Sequence, residues 1–206
     1  MLRVRCGVVG NRINARDTYC QIVKQDEAKT FIDNNHIAGW TRASLNLGLF
    51  HKNTNDLLSV ISFSKNRLGK MRHGAENEII RFCTKQDNIV IGGLSKLLSH
   101  ARKEHNINSI MTFADLRFGE GRSYEKVGFM YRSDSQPNYK YFNKRTRTLY
   151  CRQHFQKHKL EKLVGGLLST FDPTLTEKEN MSNNGYLRLV DCGNALFTFQ
   201  ERGTLS

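Results

Sequence analysis

No run of about 18 apolar residues occurs in this 206-residue chain, so no membrane-spanning helix is expected. The opening Met1-Leu2-Arg3-Val4-Arg5 lacks the apolar stretch of an export signal. Cysteines are few: Cys6, Cys20, Cys83, Cys151 and Cys192 are scattered and odd in number, which does not suit a disulfide framework. Read as reduced thiols, they point to a cytoplasmic protein. There is no internal repeat and no low-complexity tract. No GIY-YIG pair, no His-Asn-His cluster and no Glu-Asp…His-Asp set can be assembled, so no strand-cutting centre is expected.

Acidic residues are also scarce. Lys and Arg number 32 against 19 Asp and Glu, a net charge of +13 with a pI near 9.7. That excess must lie mostly at the surface, because unpaired buried charge is too costly. It suits a polyanion partner, nucleic acid and DNA foremost, since cations on phosphates gain affinity by releasing counterions. A basic surface kept only for solubility is the alternative. Two stretches concentrate the charge. One is a loop carrying Lys65, Arg67, Lys70 and Arg72 without a carboxylate. The other is an expected helix, Cys151–Leu163, carrying Arg152, Lys157, His158 and Lys159. On such a helix Cys151, His154 and His158 would share a face, but no fourth ligand lies nearby and no metal is expected. Aromatic and basic residues interleave from Tyr139 to Arg145, which suits either base stacking or one buried sheet face.

The elements follow from periodicity. Residues 1–17 read as a basic arm. Thr18 to Val23 reads as a strand and Asp26 to Asn35 as a helix with Ala28, Phe31 and Ile32 on one face. Leu45, Leu47 and Leu49 alternate in a strand that pairs with Leu57–Ser64 through a turn at Asn53–Asp56. Glu76–Cys83 is a further strand. Ile89-Val90-Ile91, a glycine pair and an amphipathic helix with Leu94, Leu97, Leu98 and Ala101 come next. Ser109–Ala114 reads as a buried strand, Arg122–Val127 as a short helix, and Phe129–Arg132 and Tyr139–Asn143 as strands. Thr176–Asn183 reads as a helix, and Tyr186–Asp191 with Ala195–Gln200 as a closing hairpin. The division expected is an arm (1–17), a core (18–145) and a helical and β-hairpin extension (146–206).

This order resembles the GNAT acyltransferases, which implies an α/β fold with a mixed central sheet flanked by helices. Three segments resemble the Mom family of phage DNA-modification proteins: Asn35–Gly39, Glu78–Phe82, and Thr112–Asp115 with Arg122–Phe129. A related GNAT-like module of phage homing endonucleases is similar too, also at Arg152–Leu160, Glu179–Tyr186 and Asp191–Asn194. The resemblance implies acetyl-CoA or another acyl-CoA as cofactor. Its pyrophosphate would sit on Gly92, Gly93, Leu94 and Ser95 at a helix start, with Ile80 of the central strand beside it. It implies Tyr124 as a general acid, a phenol that stays protonated at neutral pH; packing under Phe129 is the alternative. It implies His36 as a base, where capping the first helix is the alternative. Asp115, at a strand's C-terminal end, is either a ligand-facing carboxylate or a partner for Arg117. The function implied is modification of a DNA base; a non-catalytic DNA-binding module is the other reading.

Overall fold

The computed structural model describes residues 10–65 and 74–200. The chain divides into two compact units. The first holds the described residues up to Ala114, then Glu120–Ser133 and the stretch from Ala195 onward. The second holds Asp115–Gly119 and Asp134–Asn194.

The first unit runs β1 (Asn11–Asn14), a 3-10 turn at Ala15–Asp17, β2 (Thr18–Ile22), α1 (Gln25–Asn35), β3 (Leu45–His51) and β4 (Leu57–Lys65). It continues with β5 (Asn77–Thr84), β6 (Asn88–Ile91), α2 (Gly93–His105), β7 (Ser109–Asp115), α3 (Arg122–Glu125) and β8 (Met130–Asp134). The second unit carries β9 (Tyr139–Asn143), β10 (Thr148–Cys151), α4 (Lys157–Leu160), α5 (Glu177–Asn183) and β11 (Tyr186–Val190); the chain then returns to the first unit as β12 (Asn194–Gln200).

Seven strands form the main sheet in the order β2-β3-β4-β5-β7-β12-β8, antiparallel from β2 to β5 and parallel between β5 and β7. Both faces are covered. Phe50 and Val60 join Ala28 and Ile32 of α1 in one cluster, while Gly93 of α2 approaches Leu49, which points the other way along β3. The stripe Leu94, Leu97, Leu98 and Ala101 is buried, as its spacing predicts. The hairpin Ser44–Ser64 and the strand Ser109–Ala114 lie inside this sheet. A mixed sheet flanked by helices, with a glycine turn opening α2, is the GNAT-like layout.

Four sequence expectations are corrected. The arm is folded from Asn11 onward: β1 pairs in parallel with β6, Asn11 opposite Asn88. Cys151–Leu163 is no continuous helix. It is a strand end, a 3-10 turn at Arg152–Phe155, the four residues of α4 and a second 3-10 turn. The stretch has few residues to bury on one face: Phe155 and Leu160 are fully buried in the core and Leu163 packs partly against it. The shared face for Cys151, His154 and His158 therefore does not exist, and no metal-holding cluster is found among the described residues. The closing hairpin is two separate strands. β11 pairs with β9 in a three-stranded sheet, while β12 enters the main sheet between β7 and β8. Residues 135–193 are thus inserted between two neighbouring strands of that sheet, so the second unit is Asp115–Gly119 with Asp134–Asn194 rather than residues 146–206. No described helix is long and apolar enough to cross a membrane.

Candidate active site

β5 and β7 pair only through Asn77–Ile110, Glu78–Met111 and Ile79–Thr112, although both strands continue. The cause lies on the other edge of β5. Against β4, Ser62 faces Arg81 and Phe63 faces Ile79, so Ile80 is an extra residue without a partner. Such a bulge bends its strand and raises its twist. β5 is thereby turned away from β7 one residue after their last shared pair, and the sheet opens there. Ile80 sits at the bend with its side chain buried, so what it could offer a ligand is its backbone, whose carbonyl also accepts from Arg81.

Tyr124 reaches the root of this opening. Its ring packs on Phe129 and Phe197 at centroid distances of 5.6 and 5.7 Å. The ring is half-buried, while its hydroxyl end is enclosed beside Thr112, the last β7 residue paired with β5, whose own hydroxyl donates to the Ile79 carbonyl at 3.3 Å. Burial raises the phenol above its ordinary range, and the polar Thr112 side chain beside it opposes this in part. The hydroxyl therefore holds its proton at neutral pH. Gly121 makes the approach possible. It caps α3 in the left-handed region at φ 78°, and an added Cβ would lie 2.3 Å from the Phe197 ring.

His36 lies on the β5 side. It ends α1, its backbone N–H donating to the Ile32 carbonyl at 2.8 Å, so the capping role is met by its backbone. Its ring is separately occupied: Nδ1 accepts from the Ala38 N–H at 3.1 Å, which leaves the proton of the neutral ring on Nε2. Burial, and then the nearby Arg81 cation, hold the imidazole below its ordinary value of 6.5. Arg81 also ties this loop to the bulge. Its Nε donates to the Gly39 carbonyl and its Nη1 to the Ile80 carbonyl, each at 2.6 Å.

The glycine turn is built as expected for an anion. Gly92 is the left-handed cap of α2, no side chain caps the helix start, and no acidic residue lies in its first turn. The first N–H to find a helical partner is that of Lys96, on the Gly92 carbonyl at 3.0 Å. The Lys96 ammonium is spent on the Ala15 carbonyl at 2.7 Å and on that of Thr18. A cofactor phosphate would therefore meet the N–H groups of Gly93, Leu94 and Ser95 rather than this lysine.

Asp115 takes the structural alternative. Arg117 grips it through Nε and Nη2, the latter at 2.6 Å, and its own N–H is accepted at 3.0 Å. That grip holds the carboxyl below its usual range. The structure thus gathers Tyr124, His36, Ile80 and the glycine turn into the first unit, while Asp115, Arg152, Lys157, His158 and Lys159 belong to the second. Lys65 is exposed at the end of β4; Arg67, Lys70 and Arg72 lie outside the described residues. Sequence reading missed Thr112 and Arg81. Arg81 left a signal, a cation inside the apolar run Ile79-Ile80-Arg81-Phe82, whereas Thr112 was marked only as the start of the segment Thr112–Asp115 and not by its own side chain.

The model of the Mom protein family matches residues 17–183. The chain belongs to the Mom protein family. Together with its GNAT-like sheet this makes it an acyltransferase-like protein. No curated protein sequence matches it. Among solved structures, this Mom-family chain is similar to the ribosomal-protein-S18-alanine N-acetyltransferase of Escherichia coli, at 10% identity and a TM-score of 0.46, covering 92% of this chain and 98% of that one. It is similar to a Bacillus subtilis acetyltransferase in complex with CoA, at 11% identity and a TM-score of 0.48, covering 90% and 99%. The fold assignment rests on the strand order, the opening between β5 and β7 and the glycine turn.

Proposed function

We propose that this protein modifies a base in DNA, using an acyl-CoA as donor, in the cytoplasm of the cell that makes it. The observation that carries the reading is the opened sheet with the Tyr124 hydroxyl at its root. The uncapped start of α2 suits the cofactor's pyrophosphate, and the backbone at Ile80 suits its extended arm. When bound, the cofactor supplies an activated acyl group on a thiolate that can leave. Tyr124 holds a proton at its hydroxyl oxygen for such an anion. His36, neutral and with Nδ1 engaged, presents Nε2 as the atom that trades a proton with solvent or substrate. Arg81 fixes the His36 loop to the bulged strand. The net charge of +13 supports DNA as the acceptor. A base inside a duplex cannot reach such a cleft, so the acceptor must be unpaired or flipped out.

Mass spectrometry of nucleosides from cells expressing the protein tests this. A new modified nucleoside is expected with the wild type and at least a hundredfold less of it with Tyr124→Phe. Its absence with the wild type would end the reading. The packing of the Tyr124 ring between Phe129 and Phe197 favours a second reading, a DNA-binding module without chemistry. Under that reading acetyl-CoA leaves the melting temperature unchanged; under the first it raises it.

A further inference from the structure

The second unit brings two arginines to one tyrosine. β9 is the central strand of its sheet, with β10 on one side and β11 on the other. Arg188 comes from β11 and lies 3.9 Å from the centre of the Tyr139 ring. Arg152, one residue past β10, lies 5.2 Å from the same centre. The two guanidinium groups thus converge from the two flanking strands, and both side chains are exposed. The ring is held in turn: the Tyr139 hydroxyl donates to Glu177 Oε1 at 2.7 Å, and the Tyr141 hydroxyl to the same oxygen at 3.0 Å.

Two guanidinium groups against one ring gather two positive charges in one exposed patch, and the ring offsets only part of that charge. Among the described residues neither arginine forms an ion pair with a carboxylate. Arg152 has only a long bond to Asn138 Oδ1 at 3.5 Å, and Glu177, which holds the ring they share, is engaged by the two phenols. What completes such an arrangement is an anion with several oxygens, which planar guanidinium groups grip two atoms at a time.

We infer that Arg152 and Arg188, spread on Tyr139, form a phosphate clamp that holds the backbone of a DNA strand. This rests on the proposed DNA substrate and assigns the second unit the part of strand holder. Arg188 does not stand out in the sequence as a binding residue, whereas Tyr139 opens the stretch whose interleaved aromatic and basic residues suit base stacking. A clamp of this kind recognises phosphate and not base, so it positions a strand without choosing its sequence.

The same phosphate chemistry could come from the cofactor, and the test separates the two. Full-length wild type, Arg152→Ala, Arg188→Ala and the double variant are titrated with a single-stranded 20-mer over a salt series. Thermal shift with CoA and with inorganic pyrophosphate runs beside it. Each single change is expected to reduce the slope of log K against log salt by about one, and the double by about two, with CoA protection unchanged. A wild-type slope in the double variant overturns the clamp. So does loss of CoA protection with the oligonucleotide slope intact, which would hand the site to the cofactor. If the alanine variants do not fold, Arg188→Lys decides. It keeps the charge and loses the planar fork, so weaker binding at an unchanged slope supports the clamp and unchanged affinity overturns it. A wild type that binds no oligonucleotide at low salt overturns both the clamp and the DNA substrate, while a CoA shift would leave the cofactor assignment standing.

Discussion

The two units are stabilised by different means. The first is a sheet protein with an aliphatic core: Leu47, Leu49, Val60, Ile61 and Ile32 are fully buried, and strand ladders satisfy most of its backbone. The second has three short strands and a core of rings, in which Phe155 lies 5.0 Å from Tyr186, 5.4 Å from Tyr150 and 5.7 Å from Tyr141. Much of its remaining backbone is irregular, and side-chain amides do there what ladders do in the first unit. Asn180 accepts from the Asp172 N–H at 2.8 Å and donates to the Asp172 carbonyl at 2.9 Å. Asn184 accepts from Ser169 and Thr170 and donates to the carbonyls of Thr170 and Asn180. A chain without regular structure must still pair its buried N–H and C=O groups, and amides carry both a donor and an acceptor.

The largest effect that would sharpen this contrast is on chemistry. Tyr124→Phe in the first unit should lower modification by about 10²–10⁴-fold while stability moves by only about 1 kcal/mol. Nucleoside analysis and a urea melt measure the two. Next, Leu49→Ala should cost about 2–5 kcal/mol, because the emptied space lies between a closed sheet and α2. The single tryptophan, Trp40, packs on the first unit's core and reports that unit by fluorescence. Asn180→Ala should cost about 1–3 kcal/mol by leaving backbone groups of the second unit unpaired. The expected signature is an earlier loss of circular dichroism with the Trp40 transition unmoved. A Trp40 transition that shifts with it would show one cooperative block instead of two.

The smallest effect is a pH dependence. In the folded protein His36 binds its proton less readily than at its ordinary value of 6.5. The unfolded chain therefore takes up that proton first as pH falls. Its contribution to stability is whole above about pH 6.5 and declines below it until the folded imidazole also protonates. Measured by urea melts at several pH values, His36→Gln should flatten this decline, and a slope unchanged in the variant would remove His36 as its source.

Several features were legible in the residues. The alternation of Leu45, Leu47 and Leu49 and the stripe Leu94, Leu97, Leu98 and Ala101 each repeat at the period of their element; the stripe is buried as read, and so are Leu47 and Leu49, with Leu45 half-buried at the strand's start. The capping box at the start of α5, where Thr176 and Glu179 satisfy each other's backbone, marks its helix in sequence as well. Less legible was the stretch Arg152–Leu163, where basic residues at helical spacing belong to a chain of short turns. Spacing alone does not reveal whether a packing surface exists for the face it would form.

What the sequence alone determined is local and compositional: the charge, the strand and helix periods, the glycine turn before α2 and the order that resembles the acyltransferases. Only the tertiary structure decided that β11 and β12 part company, that Ile80 is the extra residue that opens the sheet beside β7, and that Arg152 and Arg188 meet over one ring. Each of these depends on which strands pair and in what register. Register is a relation between segments far apart in the chain, and a shift of one residue changes every partner and every face.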